Sequence, residues 1–142
     1  MCQTPADCLR RAEHWLQSTA WLERGQERLD RWNERGIPAR ISCHARQKRQ
    51  LERAISFGDI NVALANGQVI HRNIDQETKQ EHLLVLAWLR SGSKSWRPIH
   101  VSVLLSVDAS DVFIKTVYDP RSCDWMWTRE YTRRVCWCRD HH

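Results

Sequence analysis

The chain has 142 residues and a mass of 16.9 kDa, enough for one domain with an appendage and too few for two full domains. Apolar residues make up 42% of it, which excludes wholesale disorder, and no apolar run is as long as a membrane span. The start, Met1–Pro5, lacks a basic region followed by an apolar core, so we expect no signal peptide, a cytoplasmic location and no membrane partner. Eight Trp, six Cys and a net charge of +5 are the unusual features.

The positive charge is concentrated in two arginine-rich segments. Residues 40–56 carry five basic side chains against one acidic side chain, and residues 120–142 carry five against three. Clustered arginines are typical of surfaces that bind RNA, because the planar guanidinium donates paired hydrogen bonds to phosphate. A solvated helix face or a docking surface for an acidic protein explains the same clusters, so these alternatives stay open.

The N-terminal segment has the periodicity of a helix. Apolar residues recur at helical spacing as far as Trp32, and Gly36 ends the pattern. Residues 1–39 are therefore expected to form a helical arm, as one long helix or as a helical hairpin broken near Ser18 or Gly25. Its Trp residues are expected to anchor the arm to the following domain or to a second copy of the chain, giving a homodimer.

Residues 40–125 are predicted to form an α+β core domain. Ser42 begins one short helix, and a capping box at Ser56 begins a second. Four strands are predicted after the helices, at Gln68–Arg72, His82–Leu89, Ile99–Val107 and Val112–Tyr118. Short polar connections favour a four-stranded antiparallel sheet with both helices on one face. Residues 126–142, rich in Trp, Cys and Arg, are expected to form a short helical tail.

The side chains available for chemistry are histidines, a tyrosine and arginines. No P-loop, dinucleotide, nucleophile-elbow or metal-hydrolase motif occurs, and five scattered glycines are too few to cradle a nucleotide. The inventory fits metal-independent cleavage of RNA without a cofactor. In that reaction a base takes the proton of a 2′-hydroxyl that attacks the adjacent phosphate, an acid protonates the leaving 5′-oxygen, and cations stabilise the developing charge.

The best candidate for proton transfer is His100, on the less apolar face of the third strand, although a hydrogen-bonded structural histidine is an equally good interpretation. The predicted catalytic residues are His100, Tyr118 and His44. The predicted phosphate-binding residues are Arg46, Arg49, Arg53 and Arg97. In the alternative hypothesis the same arginines belong to a non-catalytic module that binds nucleic acid or protein.

The cysteines are expected as reduced, buried thiols, because a cytoplasmic chain keeps its thiols reduced. One local pattern, Cys136-x-Cys138 followed by His142, offers zinc ligands at a spacing that differs from a standard two-knuckle site. A zinc-stabilised interaction protein is therefore a second alternative, whereas the leading hypothesis has no metal site.

Short motifs in a fixed order connect the middle of the chain to a known family. They are His44-Ala45, Arg53–Ser56, Asp59-Ile60 with Ala63-Leu64, Asn66–Ile70, Ile99–Val101, Thr116–Pro120 and Trp125. In this order, over about residues 42–125, they resemble a bacterial family of domains of unknown function, number 4258. That family is similar in element order and size to small ribonuclease toxins of toxin–antitoxin systems. The resemblance implies an RNA-cleaving toxin or an inactive relative, and a protein partner such as an antitoxin.

Overall fold

A computed structural model describes residues 2–43, 45–47 and 55–138. The helices are α1 (Pro5–Trp15), α2 (Thr19–Arg35) and α3 (Phe57–Asn66), and a 3-10 segment spans Pro120–Met126. The strands are β1 (Arg40–Ile41), β2 (Gln68–Ile74), β3 (Glu81–Ser91), β4 (Ser95–Leu105) and β5 (Val112–Tyr118). Within the described ranges, no helix combines the length and the apolar character needed to cross a membrane.

The sheet has five strands in the order β1-β5-β4-β3-β2. All four predicted strands are present, and they form an antiparallel meander from β2 to β5. The prediction of a four-stranded, wholly antiparallel sheet is wrong, because Arg40 and Ile41 add a fifth strand parallel to β5. A two-residue strand is too short to show alternation in the sequence, and its pairing covers an edge of β5 that would otherwise be unpaired.

The predicted helices begin at the predicted caps. The Ser42 hydroxyl accepts a hydrogen bond from the amide of Ala45 at 2.9 Å. The rest of the helix predicted there falls on residues outside the described ranges and stays a prediction. At the start of α3, Ser56 and Asp59 exchange side-chain hydrogen bonds with each other's backbone amides, which confirms the capping box.

The N-terminal arm consists of two helices. The break lies at Ser18, whose hydroxyl accepts a hydrogen bond from the amide of Trp21 at 3.2 Å and so begins α2. The second helix continues through Gly25, where a Cβ atom would lie 2.9 Å from the Cδ of Arg72. Glycine therefore allows α2 to lie close against β2, and Leu29 on the same helix is fully buried in the core.

A buried ion pair between β2 and β3 is joined by an arginine of α2. Nε of Arg72 donates to Oε2 of Glu81 at 2.9 Å, and Nε of Arg28 lies 2.6 Å from Oε1 of the same carboxylate. The guanidinium of Arg72 also lies over the ring of Trp21, 4.1 Å from its centroid. Because Arg72 and Glu81 are both buried, each needs the other to compensate for its lost hydration.

The two faces of the sheet are covered by different parts of the chain. The odd-numbered residues of β4, from Ile99 to Leu105, are fully buried in one core cluster with Leu29 of α2 and Ile60 of α3, as the alternation predicts. His100 points to the opposite face and is also fully buried. Since α2 and α3 occupy the first face, a further segment must cover His100, and that segment is the C-terminal tail.

The tail is a loop that folds back on itself after the 3-10 segment. The prediction of a helical tail is wrong for residues 127–137, which have no α-helical turn and are closed by a bridge between Trp127 and Arg134. Tyr131 has a φ of 62°, the left-handed conformation of a tight turn. Several β-branched residues, including Thr128, disfavour a helix here, and the reversal lets the loop place its aromatic rings on the sheet.

Candidate functional site

Two of the three predicted catalytic residues lie side by side. His100 of β4 is paired with Tyr118 of β5, and the His100 Nδ1 lies 3.1 Å from the Tyr118 hydroxyl. The His100 Nε2 lies 2.8 Å from the carbonyl oxygen of Tyr131. Because a carbonyl only accepts hydrogen bonds, Nε2 carries the proton, and Nδ1 of the neutral ring accepts from the Tyr118 hydroxyl.

Aromatic rings from the tail close over this pair. The ring of Trp127 lies edge-on to His100, with centroids 4.3 Å apart and an interplanar angle of 78°. Burial lowers the pKa of His100 to about 4, against the smaller opposing effects of the Tyr131 carbonyl and the negative charge of Asp119. Burial raises the pKa of Tyr118. In this arrangement both side chains are uncharged at neutral pH, with His100 fully buried and Tyr118 half-buried.

A row of rings continues from the tail to the arm. Trp127 lies edge-on to Trp15 of α1 at 6.3 Å, and Trp15 stacks on His71 of β2 at 4.3 Å. Burial lowers the pKa of His71, so this ring is also biased toward its neutral form. The first helix and the tail together therefore cover the face of the sheet that carries His100.

The described arginines among the predicted phosphate-binding residues lie in different places. Arg97 donates to Asp119 at 3.2 Å with both side chains largely buried, and Arg121 shares the same carboxylate. Arg46 is exposed on the helix that Ser42 caps. Three predicted site residues lie outside the described ranges and stay predictions: His44, Arg49 and Arg53.

Four cysteines from the two ends of the chain meet beside α1. The Sγ atoms of Cys2, Cys8, Cys136 and Cys138 all lie within 4.8 Å of one another. All four are free thiols, and three of them are buried. The sequence singled out Cys136 and Cys138 with His142, which lies outside the described residues, and it missed the other two because they are more than a hundred residues away. The available signal was a closely spaced cysteine pair at each end of the chain.

Backbone amides favour the thiolate form of two of these cysteines. The amide of Gln3 donates to the Cys138 Sγ at 3.1 Å, and this hydrogen bond is the largest of the effects that lower the pKa of Cys138 to about 5. The amide of Trp137 donates to the Cys8 Sγ at 3.4 Å and lowers the pKa of Cys8. Burial raises the pKa of Cys136 to about 12. These contacts therefore favour the thiolate form of Cys138 and the thiol form of Cys136.

A groove of about 880 Å³ opens next to the cysteine cluster, between α1, β2 and the tail. Its lining combines cationic or titratable side chains with rings: Arg10, Arg11, His14, Trp15, His71 and Trp137. Asp7 also lines the groove and forms an exposed ion pair with Arg10. The sequence did not single out these residues, because acidic and basic side chains balance over residues 1–39 and only packing gathers the groove.

These features define a small α+β domain that carries a His–Tyr pair on the sheet face opposite α2 and α3. The chain belongs to the family described as Domain of unknown function (DUF4258), which matches residues 41–119. This match confirms the family resemblance, and the similarity to ribonuclease toxins stays a prediction. No curated protein and no solved structure matches the chain. The match lies within the predicted core at 40–125, and the boundaries of the arm and the tail stay predictions.

Proposed function

We propose that the domain is a metal-independent endoribonuclease whose reaction centre, His100 with Tyr118, is closed by the chain's own tail. One observation carries the proposal. The paired side chains lie inside the family match at 41–119, whereas Trp127 and Tyr131, which cover them, lie beyond it. Trp127 and Tyr131, here called the cover, are therefore an addition to the family domain. Displacement of the cover would open the His–Tyr pair to RNA.

His100 supplies proton transfer once the cover moves. The low pKa of about 4 arises chiefly from burial, so exposure to water returns it toward its ordinary value of 6.5. At that value an imidazole both accepts and donates protons near neutral pH. His100 takes the proton of the 2′-hydroxyl as that oxygen bonds to phosphorus. The bond from phosphorus to the 5′-oxygen breaks, and Tyr118 donates its proton to the leaving oxygen.

RNA is the proposed partner of this site. The proposed phosphate contacts are Arg46, Arg49, Arg53 and Arg97, with the described Arg46 already exposed to solvent. Release of Arg97 toward phosphate requires exchange of its ion pair with Asp119. Inhibition by an antitoxin-like protein and dimerisation through residues 1–39 remain predictions.

Cleavage assays with cover variants test the proposal. Trp127→Ala removes the ring above His100, and we expect it to cleave single-stranded RNA faster than the wild type in buffer without divalent ions. The products should carry 2′,3′-cyclic phosphate ends, as 2′-hydroxyl attack requires. Adding His100→Ala to the same chain should reduce cleavage by roughly 100-fold or more, because a general acid or base is lost.

Trp96→Ala is the matched control for this assay. Trp96 lies on the same strand as His100, but its side chain is 58% exposed and its loss leaves the cover in place. This variant should cleave RNA at the wild-type rate. A folded Trp127→Ala variant without activity, or activity that survives His100→Ala, contradicts the proposal.

A second candidate function is binding of single-stranded nucleic acid in the groove, without catalysis. The groove places Arg10, Arg11 and His14 of one helix beside the rings of Trp15 and Trp137. Cations that follow a phosphate backbone beside rings that stack on bases are the combination used by single-strand binders. In this interpretation His100 is a structural histidine beneath the tail.

Binding of a fluorescent RNA oligonucleotide distinguishes this candidate. Affinity should fall steeply with salt, because phosphate binding releases counterions, and it should fall further in Arg10→Ala and Arg11→Ala. Arg31→Ala on α2 removes the same charge from an exposed position outside the groove lining and is the matched control. Equal loss of affinity in all three variants, or an affinity independent of salt, contradicts a groove-specific site.

A further inference from the structure

Three of the separations among the four clustered sulfurs match those of thiolates around one metal ion. A tetrahedral zinc ion with Zn–S bonds of about 2.3 Å places its sulfurs about 3.8 Å apart. The Sγ atom of Cys138 lies 3.7 Å from that of Cys2, and the Sγ of Cys8 lies 3.9 Å from those of Cys136 and Cys138. All four sulfurs are mutually close, so they surround one point.

We infer that Cys2, Cys8, Cys136 and Cys138 form a structural site for a single tetrahedral metal ion, zinc by its ligand chemistry. Four thiolates complete the coordination of zinc and leave no position for substrate, which is typical of a structural site. The inference rests on the cysteine geometry and is independent of the proposed ribonuclease activity.

Other thiol chemistry fits the cluster less well. A disulfide joins two sulfurs at about 2.0 Å and would divide the group into pairs, whereas all four cysteines are free and each lies near the others. An iron–sulfur cubane binds its cysteines to four separate irons and spreads them more widely than one ion does. A single ion therefore accounts best for four converging sulfurs.

The cysteine sulfurs are surrounded by hydrogen-bond donors, as the sulfurs of metal-binding cysteines are. Amides of Gln3 and Trp137 donate to the sulfurs of Cys138 and Cys8, which stabilises thiolate ligands. Zinc with four thiolates has a formal charge of −2, and Arg134 lies close by, with its Nε donating to the carbonyl of Cys136 at 3.0 Å. These contacts compensate the charge of a bound ion.

The site would hold the start of the chain against the tail. Cys2 and Cys138 are 136 residues apart in sequence, yet their sulfurs are in contact. Cys136 and Cys138 lie in the same tail as Trp127, the ring that covers His100. A bound ion would therefore fasten α1 and the tail together on the same face of the sheet.

Metal analysis of the full-length chain, purified under reducing conditions, tests the inference. We expect one zinc ion per chain by mass spectrometry of the metal, and its loss in Cys8→Ser and Cys138→Ser. Cys43→Ser and Cys123→Ser are the matched controls, because these thiols lie outside the cluster, and they should keep the metal. The inference is overturned if the purified chain holds no stoichiometric metal or if Cys8→Ser retains zinc. It is also overturned if thiol titration shows that the four cysteines form two disulfides.

Cobalt substitution separates loss of the site from loss of the fold. Wild-type protein loaded with Co²⁺ should show the visible absorption of tetrahedral cobalt and thiolate-to-cobalt charge transfer. Cys138→His preserves a ligand, so it should still bind one Co²⁺ with a shifted spectrum, whereas Cys138→Ser should not. An octahedral cobalt spectrum of the Co²⁺-loaded wild type overturns the inference. A visible spectrum of bound iron in the protein as purified contradicts the assignment of the metal as zinc.

Discussion

The ring of His100 and the backbone carbonyl of Tyr131 are joined by a 2.8 Å hydrogen bond that connects the family domain to the tail. This bond fixes the proton on Nε2 and leaves Nδ1 to accept from the Tyr118 hydroxyl. The same loop carries Trp127, which helps to remove water from the ring. The tail thus sets the tautomer of His100 and helps to keep its ring neutral.

Acidification should destabilise the fold through His100. Its pKa is about 4 in the folded chain and 6.5 when unperturbed, so protons favour the unfolded state. The stabilisation is present above pH 6.5 and is lost as the pH falls from 6.5 to 4. Between pH 7 and pH 5 we expect His100 to account for a loss of about 2 kcal/mol in the free energy of unfolding.

Urea unfolding of the wild type and His100→Gln at pH 7 and pH 5 measures this contribution. Other groups titrate in both proteins, so only the difference between the two pH responses reports on His100. The variant should lose about 2 kcal/mol less than the wild type over this range. Parallel responses would show that His100 is not buried in its neutral form.

Loss of the buried charge at Glu81 should weaken the attachment of α2. Glu81→Gln leaves Arg72 buried without its carboxylate, and we expect the free energy of unfolding to fall by about 3 kcal/mol. Asp111→Asn breaks the exposed ion pair with Arg40 and is the control, with an expected change below about 1 kcal/mol. Similar effects of the two substitutions in urea unfolding would rule out a special role for the buried pair.

Two glycines of the α3 region should respond to alanine in opposite directions. A Cβ atom at Gly67 would lie 2.3 Å from the carbonyl oxygen of Ala63 and 2.4 Å from the Cγ1 of Val85, so Gly67→Ala should destabilise by about 2 kcal/mol. Gly58 lies within α3 with only an ordinary contact nearby, so Gly58→Ala should stabilise by roughly 0.5–1 kcal/mol. Thermal unfolding measures both changes, and stabilisation by Gly67→Ala would contradict the close packing of α3 on β3.

Removal of the metal should release the tail. If the cysteine site fastens the tail, a strong chelator should accelerate cleavage by trypsin at Arg129 and Arg133, which are exposed in the loop. Cys8→Ser should be cleaved rapidly without chelator, whereas Cys123→Ser should behave as the wild type. Mass spectrometry of the fragments identifies the sites, and cleavage rates unaffected by chelator would count against a metal clamp.

Local patterns in the sequence predict most of the core. Val112–Tyr118 is rich in β-branched residues and forms a strand with the predicted bounds. Ser56 and Asp59 form the predicted capping box, because both partners lie within one turn. An antiparallel meander implies that the strands of His100 and Tyr118 are neighbours. Their direct pairing, however, depends on a bulge between Ser102 and Val103 that shifts the register by one residue.

Contacts between distant segments account for what the sequence did not predict. The strand at Arg40–Ile41 exists only because β5 pairs with it, and two residues carry no periodic signal. The burial of His100 depends on a tail loop that reverses direction at Tyr131. Because Tyr131 and not glycine adopts the positive φ there, the sequence does not predict the turn. Cys2 and Cys138 come together through the packing of α1 and the tail, which no spacing rule describes.

The imidazole of His100 is neutral and buried beneath the ring of Trp127. Its imidazole signals, followed by NMR as the pH is lowered, report its protonation directly. We predict a titration midpoint near 4 in the wild type and a higher midpoint, toward 6.5, in Trp127→Ala, because the lost ring readmits water. A wild-type midpoint near 6.5 would show that the folded chain does not disfavour protonation of His100. A midpoint that Trp127→Ala leaves unchanged would show that the Trp127 ring does not exclude water from it.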